Sequence, residues 1–89
     1  MKSQRYPMET GEIVINGQRM SWNMRRSKSE SAFGIRGSRI FELELKKNGR
    51  VIGAYDMGWG FQISKEEEEG ALCLSYIIDR YGRTKNKEK

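Results

Sequence analysis

The sequence predicts an α+β fold: a four-stranded antiparallel sheet built from two hairpins, with one C-terminal helix packed on one face, in the order ββββα. Three observations carry it. Asn-Gly occurs twice, at Asn16-Gly17 and Asn48-Gly49. Each pair sits between stretches that alternate apolar and polar residues. Near the end, Leu74, Ile77, Ile78 and Tyr81 recur at helical spacing. Asn and Gly accept the positive φ that both central positions of a type I′ turn demand, so each Asn-Gly predicts a tight hairpin.

Before the first hairpin, residues 1–10 hold the sole proline, Pro7, and no periodicity, and they read as a flexible arm. The first hairpin runs from about Gly11 to Arg26. A two-residue loop at Asn16-Gly17 sets Ile15 opposite Gln18, Val14 opposite Arg19 and Ile13 opposite Met20. Opposed residues share a face. Ile13, Ile15, Met20, Trp22 and Met24 therefore line one side, and Arg19, Ser21, Asn23 and Arg25 the other.

In the second hairpin, a two-residue loop at Asn48-Gly49 sets Leu45 opposite Ile52, Leu43 opposite Ala54 and Phe41 opposite Asp56. It also pairs Lys46 with Val51, Glu44 with Gly53 and Glu42 with Tyr55. Both hairpins then show one apolar and one polar face, as an antiparallel sheet covered on one side should. An eleven-residue connection, 27–37, joins them and carries Phe33 and Ile35 among glycines. Residues 58–63 read as a bent continuation of the fourth strand, with Gly58 and Gly60 at the bend.

Ser64 opens the helix, where Ser64 and Glu67 fit a capping box. Glu66 to Glu69 load its first turns with negative charge, Arg80 lies in the last turn and Gly82 reads as the residue that ends it. The apolar stripe from Ala71 through Tyr81 implies a helix of about 17 residues facing the sheet. One domain, residues 11–82, follows, with a basic flexible tail at 83–89.

Composition removes several functions. The chain of 89 residues has no histidine and one cysteine, Cys73. Histidine-based catalysis, a cysteine-histidine nucleophile and a zinc centre lack their parts. Glu42 and Glu44 share a strand face but read as a solvated surface balanced by Lys46 and Arg39. No Gly-rich phosphate loop occurs, because Gly58-Trp59-Gly60 lacks a third glycine and places a bulky ring where a phosphate would approach. The expectation is a protein that is not an enzyme, with no cofactor and no metal. No apolar run reaches the ~20 residues of a membrane span and residues 1–10 lack a secretion signal's apolar core, so a cytoplasmic location is expected.

The net charge of +5 is concentrated at the ends, since residues 11–82 carry 11 basic and 10 acidic side chains. Within residues 19–39, six basic side chains face Glu30 alone. The candidate partner-binding residues are Arg25, Arg26, Lys28, Phe33, Arg36, Arg39 and Tyr55. With Phe33 in the loop and Tyr55 on the open sheet face, these arginines could track a phosphate backbone and stack bases.

Ile15-Asn16-Gly17, Phe33-Gly34-Ile35 with Gly37 and Arg39-Ile40, Tyr55-Asp56 before Gly58-Trp59, and a helix closing in Ile-Ile…Tyr form a set. The run from Gly11 to Tyr81 that holds it resembles a small domain of unknown function met in Firmicutes and in their phages and mobile elements. The chain departs at Gly60, where the resemblance leads one to expect an acidic residue. That family carries no established activity. What the resemblance implies is a habitat in which small accessory proteins bind host machinery. The expected function is therefore a non-enzymatic accessory protein that docks on a host protein system, such as antiviral defence, and inhibits it. The alternative is single-stranded nucleic-acid binding by the open sheet face and the basic tail. A homodimer, formed through a sheet edge or through the helix face bearing Leu72 and Tyr76, is a third reading.

Overall fold

A computed structural model describes residues 6–83. Five strands form one antiparallel sheet: β1 (Glu9–Ile15), β2 (Gln18–Arg26), β3 (Ile40–Lys47), β4 (Arg50–Asp56) and β5 (Trp59–Phe61). Their order across the sheet is their order along the chain. A helix, α1 (Glu68–Ile77), follows and passes into a π-helical turn over Ile78–Gly82. The sheet has five strands rather than four. The expected bend at Gly58 is a reversal, in which Met57 takes φ +58° and the Asp56 amide donates to the Gly58 carbonyl at 2.9 Å. The chain therefore returns alongside β4 instead of extending it.

The first hairpin has the expected register, Ile15 with Gln18 through Ile13 with Met20, and it continues to Glu9 with Met24. Regular structure thus begins two residues inside the stretch read as an arm; residues 1–5 lie outside those described. Asn16 and Gly17 sit at φ +52° and +76°, and Asn48 and Gly49 at +51° and +86°, as type I′ turns require.

The second hairpin departs from expectation after two pairs. Lys47 opposes Arg50 and Lys46 opposes Val51, but a bulge then sets Leu45 opposite Gly53, Glu44 opposite Ala54 and Leu43 opposite Tyr55. Ile52 is the extra residue, and both it and Gly53 are buried. The physical reason lies outside the hairpin. A Cβ at position 53 would stand 2.6 Å from Ile63 Cγ1, so the residue that faces Ile63 on the covered side has to be glycine. A second irregularity falls between Arg25 and Arg26, where Arg25 opposes Glu42 and Arg26 opposes Ile40. Phe41 is the residue left over. Instead of joining the apolar face it meets the Tyr6 ring edge-on at 5.3 Å.

The core lies between the helix and one sheet face. Met20, Trp22 and Met24 of β2, Ile40, Leu43 and Leu45 of β3, and Ile52 of β4 meet Cys73, Leu74, Ile77 and Ile78. Ala71, expected in the helix stripe, is exposed, and Cys73 takes the buried position. The α-helix is ten residues long instead of about 17, because residues 64–67 form a separate turn and Ile78–Gly82 wind into the π-helical turn. The expected capping box is absent. The Ser64 hydroxyl pairs with Glu66, while Glu67 and Glu69 each accept from Lys47 Nζ at 3.1 Å. A lysine across the sheet has captured the carboxylate that a cap would need. Gly82 is no left-handed terminator either; it is buried against Ser38.

Candidate functional site

The connection between β2 and β3 spans residues 27–39, two longer than expected. Its ends are tied by the Ser27 amide donating to the Arg39 carbonyl, and by Arg39 Nε donating back to the Ser27 carbonyl, both at 2.8 Å. Ile35 is fully buried and anchors its middle. A Cβ at Gly34 would fall 1.7 Å from the Ser38 carbonyl oxygen, so the two limbs cross at a distance only glycine allows. Arg36 follows at φ +54°, ψ +36°, a left-handed conformation that costs a non-glycine residue about 1 kcal/mol and persists only where the surroundings impose it. The loop is a held shape. On it Phe33 is 63% exposed.

The seven candidate residues do not converge on one surface. Tyr55, expected on the open sheet face, lies on the covered side because of the bulge at Ile52. There its ring meets Trp59 edge-on at 5.1 Å, and its hydroxyl donates to the Phe33 carbonyl at 2.9 Å. Phe33 and Tyr55 are thus brought together. Arg36 belongs to a neighbouring cleft with Trp59, Ile63, Lys65 and Leu74. Lys28 is exposed near the start of the loop.

Arg25 stands on the open face, and Arg26 and Arg39 lie elsewhere. Arg25 Nη1 is 2.7 Å from Glu42, and its Nε donates to the Tyr6 carbonyl at 2.9 Å. Nearby, Arg19 pairs with Glu12 at 3.5 Å and Lys46 with Glu44 at 3.9 Å. The open face therefore neutralises itself, and Glu42 and Glu44 are ion-pair partners there. Arg26 donates to Glu9 and to the Tyr81 carbonyl, each at 2.9 Å, with its guanidinium 5.4 Å from the Tyr81 ring centre. With Arg39, Arg80, Tyr81 and Arg83 it lines a cleft of about 290 Å³.

Sequence reasoning missed this second grouping. Arg80 read as a helix-end charge, Tyr81 as a core residue and Arg83 as tail. The available signal was the run Arg80-Tyr81-Gly82-Arg83 directly after an apolar stripe, but only the fold carries it to Arg26 and Arg39.

Chemistry elsewhere is sparse. Cys73 is fully buried, and burial pushes its thiol up to about 11, far from a thiolate at neutral pH. Among the described residues no group of three His, Cys, Asp or Glu side chains could hold a metal ion. No helix among them is long and apolar enough to cross a membrane.

No curated protein and no solved structure matches the chain. A family model does, over residues 8–82, from the residue before β1 to the end of the π-helical turn. Its description is a domain of unknown function, and the matched span takes in both Asn-Gly turns, the crossed loop and the helix. The chain belongs to the DUF7678 family.

Proposed function

We propose that the protein is a non-enzymatic binding module that docks on a protein partner through the 27–39 loop. The observation that supports this reading is the exposed Phe33 ring on a loop whose backbone is fixed on both sides. An aromatic residue whose backbone is fixed before binding has less entropy to lose on docking, and aromatic residues dominate interface energetics. Lys28 and Arg36 on the same loop suit a partner whose apolar pocket has an acidic rim. The wider setting we propose is a small accessory protein of a phage or mobile element, acting in the cytoplasm of a bacterial host and inhibiting a host system such as antiviral defence.

The alternative, single-stranded nucleic-acid binding along the open sheet face, draws less support. Arg19, Arg25 and Lys46 on that face already pair with carboxylates. For a homodimer, Leu72 is half exposed on the helix and the edge strands β1 and β5 expose Val14 and Phe61, whereas Tyr76 is partly buried with its ring centre 6.2 Å from that of Trp22.

The test is affinity capture from host lysate with the native protein and with Phe33→Ala, both checked for an unchanged melting temperature. The proposal expects one stoichiometric protein that the variant recovers at least about tenfold less well, the loss of about 1.4 kcal/mol or more that defines a contributing interface aromatic. Equal recovery by both, or no stoichiometric protein with either, overturns it.

A further inference from the structure

We infer that the cleft around Tyr81 is a binding site for phosphate groups carried on a nucleic-acid strand. It is separate from the Phe33 surface and stands without the docking proposal. Four arginines from two distant parts of the chain meet there. Arg26 ends β2 and Arg39 is the last residue of the loop before β3, while Arg80 lies in the π-helical turn and Arg83 directly after it. The guanidinium carbons of Arg26 and Arg80 lie 5.4 and 5.7 Å from the centre of the same Tyr81 ring. Among the described residues, only Arg26 of the four has a carboxylate partner, Glu9. The excess of positive charge is therefore local, in contrast with the balanced sheet face.

The cleft is also partly built in advance. Arg26 is held by Glu9 and the Tyr81 carbonyl, and Arg39 by the Ser27 carbonyl, so neither has to be ordered by a ligand. A guanidinium is a planar fork of donors whose geometry matches two phosphate oxygens; Arg26 has its Nε and Nη1 already engaged and Arg39 its Nε, so their remaining N–H groups are the ones left for an anion. The carrier follows from what comes next in the chain. Lys85, Lys87 and Lys89 succeed Arg83 in the sequence, against Glu88 alone, a net basic run suited to a ligand that is itself a row of phosphates.

The experiment measures fluorescence anisotropy of a labelled 20-nucleotide oligothymidine with the full chain across a range of NaCl concentrations. Arg80→Ala/Arg83→Ala is compared with Arg50→Ala/Lys65→Ala, which removes the same charge from exposed positions elsewhere. Removing two phosphate contacts should flatten the slope of log K against log salt by about 1.4, from about 0.7 per contact on a single strand, and the control should leave it unchanged. Equal flattening in both double variants would mean unfocused charge attraction and would overturn the site, as would no flattening in either. A parallel titration follows the Arg26 and Arg39 Nε–H resonances with oligothymidine and with pyrophosphate. Shifts with the strand support the assignment. Shifts with pyrophosphate alone, with the strand inert, overturn the strand as carrier.

Discussion

The Tyr55 hydroxyl donates to the Phe33 carbonyl at 2.9 Å, joining the fourth strand to the one exposed aromatic of the loop. Tyr55→Phe removes that bond and keeps the ring that packs on Trp59. The expected cost in global stability is only about 0.5–1 kcal/mol, as for a single neutral hydrogen bond. Hydrogen exchange should speed up selectively at the Gly34 and Ser38 amides, which close the turns of this loop. Uniform acceleration across the sheet would show that Tyr55 supports the core and leaves the loop alone.

Gly34→Ala should be the most damaging single-methyl substitution in the loop. The added Cβ would meet the Ser38 carbonyl oxygen at 1.7 Å, and a backbone atom cannot move aside as a side chain can. A loss of about 2–3 kcal/mol by urea denaturation is expected, in the range of strained or overpacked sites. Gly17→Ala is the comparison: no atom lies within 4 Å of its Cβ, so the cost there is that of positive φ alone, about 1 kcal/mol. Equal losses would place the Gly34 effect in backbone preference instead of the crossing.

Acid should loosen the helix start. Hydrogen bonds from Asn16 and then Lys47 hold the Glu69 carboxyl below its ordinary value of 4.5, and the Ser64 hydroxyl does the same for Glu66. A carboxyl depressed in the folded state contributes stability that is present above its unfolded pKa and lost as pH falls through the folded one. The melting temperature should therefore be steady above about pH 5 and fall below 4.5. Asn16→Gly, which keeps the turn, and Lys47→Met should each shrink the acid-sensitive part. Lys47 is raised above 10.5 by its hydrogen bonds to Glu67 and then Glu69, so its contribution is lost only as pH climbs past that value. An unchanged acid limb in both variants would remove these contacts as its cause.

Cys73 should be silent towards thiol reagents in the native protein. Its side chain is fully buried, and its thiol is pushed to about 11 by burial. Ellman's reagent at pH 8 should react at the rate of unfolding, and stoichiometrically in denaturant. Fast labelling of the native protein would mean that the helix opens readily from the sheet.

How much of this was legible in the sequence depended on how far each determinant reaches. Asn16-Gly17 set the whole first hairpin because its strands alternate cleanly and nothing else competes for them. Asn48-Gly49 set only the two nearest pairs; beyond them Ile63, ten residues past Gly53, decides the register, and Tyr55 changes face as a result. Lys47 undoes the capping box in the same way, from 20 residues away. At the candidate sites, Phe33 and Arg36 could be picked out as loop residues. The arginine cleft could not, because Arg26 and Arg80 become neighbours only once the helix has folded back over the sheet.

Strand order also bears on how the molecule comes to be folded. Since each strand lies beside the one before it, the sheet can grow outward from either turn; apart from the 27–39 connection, each added strand closes a two-residue loop at small entropic cost. The slow event is then the landing of the helix, which must bring Glu69 back to Asn16 across 53 residues. A chain halted at that stage would already display its hairpins, with the apolar side of the sheet still bare to water.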